Sequence, residues 1–429
     1  MIYRLIYNLF FILALPFVVL KLFSRAKKNP DYKKRILERF GLSPFKLPQS
    51  IWIHSVSVGE SIAIAPLVKK LIEENPNMPF VITTMTPTGS VEVQKLYQSY
   101  DNVHHCYLPY DLSLLMYLLI YRIKPIALII METELWPSLL HSCKAMKIPV
   151  ILTNARLSER SAKGYQKISF IIKAMLHDIA YISAQTQADY DRFTALGMPK
   201  QKISVTGNLK YDIAITETQQ KLGQHFKAGF GKRKIWIAAS THEGEDGIIL
   251  KAHLALLKEY PETLLILVPR HPERFNQIYE LALTYGLKTQ KRSEFIEDDI
   301  CLSANTQALI GDSMGEMMAY YYTSDIALVG GSLINHGGHN LLEPASLRKP
   351  TLTGPYTFNF EAVTKMLVEN HATIIIHDER DLSQQLITLY SDPKTYQEMS
   401  DNAVKTVKSN QGALQKQQAI IQRFIKSKE

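Results

Sequence analysis

The stretch Ile51-Trp52-Ile53-His54-Ser55-Val56-Ser57-Val58-Gly59-Glu60-Ser61-Ile62-Ala63-Ile64-Ala65-Pro66-Leu67-Val68-Lys69-Lys70-Leu71-Ile72 joins two kinds of hydrophobic order. Ile51–Ser55 is a short apolar run of the length of a buried strand. Beyond a turn at Gly59, residues Ile64, Leu67, Val68, Leu71 and Ile72 recur at helical spacing. A buried strand, a turn and an amphipathic helix in succession form the unit of a mainly parallel sheet covered by helices on both faces. Further runs of the same kind stand at Phe80–Thr84, Ala127–Met131, Val150–Asn154, Tyr181–Ala184 and Ile203–Thr206. A polar, patternless segment, Thr216–Lys234, follows. The alternation then restarts at Ile235–Ala239, Leu264–Val268, Ala308–Ile310, Ile326–Val329, Thr351–Thr353 and Ala372–Ile376. A chain of 429 residues exceeds one ordinary core. The expectation is an α/β protein with two doubly wound, Rossmann-like domains facing across a cleft. Residues 31–215 form the first domain, 216–234 an unstructured linker and 235–429 the second, its last helices free to return to the first.

Residues 1–30 are of another kind. From Leu5 to Leu20 only Asn8 is strongly polar, and Pro16 interrupts the run. Arg4 precedes it; Lys21, Arg25, Lys27, Lys28, Lys33, Lys34, Arg35 and Arg39 follow. An apolar run of about 15–20 residues is at the short end for a bilayer span. The basic excess on its C-terminal side places that side in the cytoplasm and is misplaced for a cleaved signal peptide. Length permits a span, whereas Asn8 and Pro16 favour an interfacial helix.

With 46% hydrophobic and 21% charged residues the chain is globular, not disordered. The formal net charge of +9 suits polyanionic partners: nucleic acid, phosphorylated lipid or an anionic bilayer. The basic excess concentrates beside the apolar segment and no base-stacking motif is present, so nucleic acid is not an expected partner. Three scattered cysteines, Cys106, Cys143 and Cys301, show neither metal spacing nor a disulfide framework.

In doubly wound sheets ligands bind beyond the carboxyl ends of the strands. After the first run, Ser57-x-x-Glu60 is a capping box, and Glu60 is equally placed to take a proton from a sugar hydroxyl. After Ala127–Met131 stands Glu132-Thr133-Glu134-Leu135-Trp136-Pro137, with two carboxylates at a strand end, suited to a site or to helix N-terminal charge. Lys210, in Asn208-Leu209-Lys210-Tyr211-Asp212, and Arg156, after Val150–Asn154, are candidate partners for a phosphate leaving group, or solvated cations. In the second half, Arg270 follows Pro269 at a strand end, suited to phosphate. Gly311-Asp312-Ser313-Met314-Gly315-Glu316 opens a helix, with Ser313-x-x-Glu316 as a second capping box. Gly330-Gly331-Ser332 and His336-Gly337-Gly338-His339-Asn340-Leu341-Leu342-Glu343 form an expected phosphate cradle, with Glu343 suited to a ribose diol. His336 and His339 have no third metal ligand at a usual spacing, so no metal is expected.

These blocks carry a resemblance. Ser55–Ser61, Met131–Pro137, Gly207–Tyr211, Val268–His271, Gly311–Glu316 and His336–Ala345 resemble, in the same order, the 3-deoxy-D-manno-octulosonic acid (Kdo) transferases. The family is of the two-Rossmann GT-B type. The resemblance implies CMP-Kdo as donor and co-substrate, no cofactor, no obligatory metal, and inversion at the anomeric carbon. It implies the tetraacylated lipid A precursor as acceptor at the cytoplasmic face of a bacterial inner membrane, with the basic collar docking on that anionic surface. It also implies roles: Glu60 as general base, Glu132 and Lys210 as transition-state stabilisers. Pro269, Arg270, Ser313, Met314, Gly315, Glu316, Asn340, Leu341, Leu342 and Glu343 match positions that bind CMP. A transferase or epimerase using a UDP-sugar, and a non-catalytic nucleotide-binding protein docked on the membrane, are the other readings.

Overall fold

The structure is a computed structural model that describes residues 2–295 and 300–426. The side chains of Arg4, Leu5 and Lys28, read above as part of the apolar run and its flanks, lie outside the described residues. Two compact units form: Met1–Asp212 with Gln411–Glu429, and Ile213–Asn410.

The first unit is built on seven parallel strands. They are β1 (Ser50–His54), β2 (Phe80–Thr84), β3 (Val103–Tyr107), β4 (Pro125–Met131), β5 (Val150–Ala155), β6 (Tyr181–Ala184) and β7 (Ile203–Val205), in the order β3-β2-β1-β4-β5-β6-β7. The second repeats the plan with β8 (Ile235–Thr241), β9 (Leu264–Pro269), β10 (Thr289–Lys291), β11 (Ala308–Ile310), β12 (Ile326–Val329), β13 (Thr351–Thr353) and β14 (Thr373–Ile375), in the order β10-β11-β9-β8-β12-β13-β14. The central strands are buried on both faces, Trp52 and Trp236 completely, which is why they appear in the sequence as continuous apolar runs. The strand order reverses at the centre of each sheet, between β1 and β4 and between β8 and β12, and the second sheet also places β11 between β9 and the edge strand β10. A ligand crevice opens at such a reversal.

The strands expected from the sequence form within a residue or two. Two others, β3 and β10, were not expected. Both are edge strands: His104 and His105 of β3 and all three residues of β10 are only half-buried, so neither offers an apolar run.

The expected unstructured linker is a correction. Glu217–Gly229 is a helix, started by a capping box between Thr216 and Gln219, and Phe226 and Phe230 on and just after it are buried in the core of the second unit. A polar helix with one narrow apolar stripe gives little signal in a hydropathy reading.

The final helix, Ala413–Lys426, belongs to the first unit, where Ile420, Ile421 and Ile425 join the core beside β1, β2 and β4. The Asp212 carboxylate accepts the N–H groups of Gly412 and Leu414, both at 2.6 Å. Within the helix, the fully buried Gln417 takes the Asn154 N–H at 3.1 Å and the Thr153 hydroxyl through Oε1. Its Nε2 donates to the Thr206 hydroxyl at 3.1 Å and the Gly207 carbonyl at 3.2 Å.

The N-terminal helix, Ile2–Lys28, contains Pro16 without a break, and its stretch Ile6–Lys27 is long and apolar enough to cross a membrane. Its outer side, with Leu9, Leu13, Phe17 and Leu20, is exposed, whereas Leu22 and Ala26 are buried against the unit.

Replacing Gln417 by Leu strands buried polar partners on β5 and on the 206–207 turn, at about 1–3 kcal/mol for each unsatisfied group. Denaturant unfolding of Gln417→Leu is expected to show a loss of at least about 2 kcal/mol. A loss below about 0.5 kcal/mol, the scatter of an ordinary surface substitution, would contradict this account of how the final helix is held.

Candidate functional site

At the reversal point of the first sheet, β1 leads through Ser55 and Val56 into the helix Val58–Glu74, capped by Ser57, whose hydroxyl accepts the Glu60 N–H. The Glu60 carboxylate returns the contact: Oε1 accepts the Ser57 hydroxyl at 2.9 Å and Oε2 the Val56 N–H at 2.8 Å. The carboxylate is therefore bonded to the cap residue of its own helix. Each oxygen keeps a further lone pair, and the side chain is only half-buried. Burial pushes its pKa up and Glu132 adds to the rise, against the Val56 and Ser57 hydrogen bonds and the Lys210 charge, which lower it.

Glu132 follows β4 in a left-handed backbone conformation, φ 59°, with its N–H on the Thr153 carbonyl at 2.9 Å. For a residue with a Cβ that conformation is strained by about 1–3 kcal/mol, and such strain collects at functional sites. Glu134, two residues on, accepts the Trp136 indole N–H at 2.9 Å. Burial first, then Glu60 and Glu132, raise its pKa to about 7. Lys210 is exposed, on a short turn after β7. The buried Asn154, also left-handed at φ 51°, holds that turn by accepting the Leu209 N–H at 2.9 Å. The charges of Glu132 and Lys210 both act on Glu60. Arg156 is exposed, and its carbonyl accepts the Thr133 hydroxyl.

The sequence reading missed three positioning residues here. Asn154 and Gln417 carry no local motif. Asp111, almost fully buried, caps the helix Pro137–Ala145 by accepting the Ser138 and Leu139 N–H groups at 3.0 and 2.9 Å. Its signal is a lone acid after an apolar strand, which many solvated residues share.

In the second unit, Arg270 is exposed at the end of β9 and its guanidinium has no ion pair among the described residues. Its charge acts on Glu343 and His339. Burial raises the Glu343 pKa, offset by the Asn340 amide at 3.2 Å and by Arg270. The buried side chains of Leu341 and Leu342 belong to the core, so only their backbone can meet a ligand. Met314 and Gly315 are exposed on the turn after β11.

Two expectations are corrected. Ser313 is not a helix cap: the helix Met317–Thr323 starts after Glu316, and the Ser313 hydroxyl bonds the Glu316 side chain. Glu316 also takes Arg292 at 2.9 Å and the Tyr320 hydroxyl at 3.0 Å, so it ties the turn together. Nor do Gly331 and Ser332 offer a free phosphate cradle. The Glu245 carboxylate already accepts the N–H groups of His242, Gly331, Ser332 and Leu333 at 2.7 to 3.0 Å. Glu245, fully buried after β8, was missed; it turns the chain where an exogenous anion was expected. Gly330 must be glycine, because a Cβ would lie 2.9 Å from the Ser240 carbonyl and the Thr241 Cα. Beside it, His242 Nε2 and His339 Nε2 are 2.9 Å apart, and the His336 ring stacks on His242 at 4.0 Å. Burial first, then the neighbouring cations, pushes His242 and His339 down to about 4, so the two share one ring hydrogen at neutral pH.

Two parallel, doubly wound units, each with polar and charged groups at its reversal point, define the GT-B type of fold. A solved UDP-GlcNAc 2-epimerase from Neisseria meningitidis has this fold, with a TM-score of 0.56 over 88% of this chain and 100% of that chain at 14% identity. Residues 34–213 match the family 3-deoxy-D-manno-octulosonic-acid transferase (kdotransferase), and residues 232–406 match glycosyl transferases group 1. A 3-deoxy-D-manno-octulosonic acid transferase from Haemophilus influenzae is 41% identical over 419 residues, 96% of this chain and 97% of that protein. One from Bordetella pertussis is 32% identical over 409 residues, 93% and 94% of the two chains. The chain belongs to the Kdo transferase family, the glycosyltransferases of lipopolysaccharide core biosynthesis.

A carboxyl whose pKa is higher folded than unfolded binds its proton more tightly in the folded state. Glu134 therefore contributes stability at acid pH that is lost as the pH rises from 4.5 to about 7. The melting-temperature gain of Glu134→Gln over the parent is expected to grow across that window and level off above it. A pH-independent difference would contradict the placement of Glu134 among like charges.

Proposed function

We propose that this chain transfers Kdo from CMP-Kdo to the tetraacylated lipid A precursor at the cytoplasmic face of a bacterial inner membrane, inverting the anomeric centre. The observation that carries the reading is the Glu60 carboxylate, held by Val56 and Ser57 at a sheet reversal beside Glu132 and Lys210. In this mechanism Glu60 takes the proton of the acceptor's primary hydroxyl as that oxygen bonds to the anomeric carbon. The bond from that carbon to the CMP phosphate breaks on the opposite face, and the electron pair leaves with CMP. The raised pKa of Glu60 makes it a stronger base than an ordinary carboxylate. Glu132 supports the oxocarbenium-like charge on the sugar, and Lys210 the charge on the departing phosphate. CMP is a weakly basic leaving group, so a strong general acid is unnecessary. Arg270, Pro269, the Ser313–Glu316 turn and Asn340–Glu343 hold CMP. Glu316 does so by shaping its turn, and Leu341 and Leu342 through their backbone. No cofactor and no metal enters the scheme.

The apolar N-terminal helix and its basic flank supply the attachment to an anionic surface, where each Lys or Arg near the lipid contributes about 1 kcal/mol. Family membership supports the sugar transferred, and the helix supports a membrane-borne acceptor.

Incubation with CMP-Kdo and lipid A precursor, followed by mass spectrometry of the lipid, tests the assignment. Kdo-modified lipid is expected, and an unmodified lipid would overturn it. Glu60→Gln is expected to lower transfer at least about a hundredfold, the range of general-base catalysis, while CMP-Kdo still binds. A folded, active Gln variant would remove Glu60 from the mechanism. Titration of Arg270→Ala is expected to show CMP affinity falling more than acceptor affinity; equal losses would count against its role.

A further inference from the structure

The first unit contains a cavity of about 450 Å³ between the N-terminal helix and the body of the unit. That is within the range of about 300–1,000 Å³ typical of ligand pockets. One wall is the inner side of the membrane helix, with Val18 and Leu22; the other is the body, with Met85 and Leu108. The helix is fixed along the body at more than one level. Near its start, the Asn8 side chain accepts the Ser113 N–H at 3.1 Å, and near its end Leu22 and Ala26 are buried. Its opposite side stays exposed and apolar.

Two features of the cavity point to its occupant. Arg25 of the basic collar and Arg39 both line it. The Arg39 side chain is 3% exposed, and its terminal nitrogens reach the Met85 carbonyl at 3.2 and 3.3 Å. The cavity surface is mostly apolar, with the cations Lys21 and Arg25 on its helix wall, which suits an acyl chain of a lipid that carries negative charge. Val56 and Trp136 also line the cavity, and these residues donate their N–H groups to Glu60 and Glu134 at 2.8 and 2.9 Å. The cavity therefore shares two wall residues, Val56 and Trp136, with the surroundings of the carboxylate cluster.

We propose that this cavity receives one acyl chain of the acceptor lipid against Val18, Leu22, Met85 and Leu108, with Lys21 and Arg25 beside the lipid's negative charge. The N-terminal helix is then part of the acceptor site as well as an anchor. The inference rests on the reading of the acceptor given above.

The test compares kcat/KM for the acylated acceptor and for the same phosphorylated disaccharide stripped of its acyl chains, with the full-length protein in detergent. The unmodified enzyme is expected to prefer the acylated acceptor. Val18→Trp, which fills the cavity, is expected to reduce that preference at least tenfold, whereas Leu13→Trp, on the exposed side of the helix, keeps it. Equal use of both acceptors by the unmodified enzyme, or an unchanged preference in Val18→Trp, would overturn the acyl site while leaving the transfer reaction standing. Failure to modify either acceptor would instead overturn the proposed function. A photoreactive acceptor with a diazirine on its acyl chain provides a second readout on the unsubstituted protein. Labelling of Met85 or Leu108 supports the site, and labelling confined to Leu9, Leu13 or Phe17 contradicts it.

Discussion

The Glu60 carboxylate, accepting the Val56 N–H and the Ser57 hydroxyl, binds together the three things the first unit has to supply. It orients the Ser57 hydroxyl that caps the helix Val58–Glu74, a contact a helix start demands of some side chain. It fixes the turn that leaves β1 at the point where the strand order reverses. It also holds a partly desolvated carboxylate beside Glu132 and Lys210, with its pKa raised. A carboxylate on a free loop would lose orientation; one bonded to the cap residue of its own helix is oriented by the fold. The neighbouring elements serve the same point: Glu132 takes a left-handed backbone as β4 ends, and Asn154 does so as β5 ends, where its side chain anchors the Lys210 turn. Gln417 ties the final helix to β5 and to the 206–207 turn, so the last residues of the chain support a site made from its first half.

The second unit solves a similar problem differently. At its reversal point a buried carboxylate, Glu245, gathers four backbone N–H groups and so closes the glycine turn after β12. Around that turn stand Arg270, exposed and without an ion pair among the described residues, and the histidines 242 and 339, whose pKa values are lowered to about 4. Neutral imidazoles can donate or accept, and Arg270 supplies the positive charge. The result is a site whose charge is concentrated on one residue, within a rigid and internally satisfied frame.

Much of the fold was legible in the sequence because parallel strands buried on both faces leave continuous apolar runs, and the candidate site residues were sought directly after them. Glu60, Glu132, Lys210 and Arg270 each stand directly after such a run or its turn. What was not legible shares a cause. The edge strands β3 and β10 lack the second buried face. The helix Glu217–Gly229 buries only a narrow stripe and resembled a linker. Asp111, Asn154, Glu245 and Gln417 act through backbone groups far away in sequence or through a turn's shape, which no spacing rule records. Glu316 was placed correctly on its turn, but its partner Arg292 comes from another loop, so the sequence could not show that its carboxylate is already engaged.

The account stands on Glu60 working as a base in the state the fold imposes on it. The pH dependence of the single-turnover transfer rate measures this most directly. An acid limb with its midpoint above the ordinary carboxylate value of 4.5, moving downward in Glu132→Gln as a like charge is removed, is the expected result. A limb at or below that value, or one that does not respond to Glu132→Gln, would contradict it.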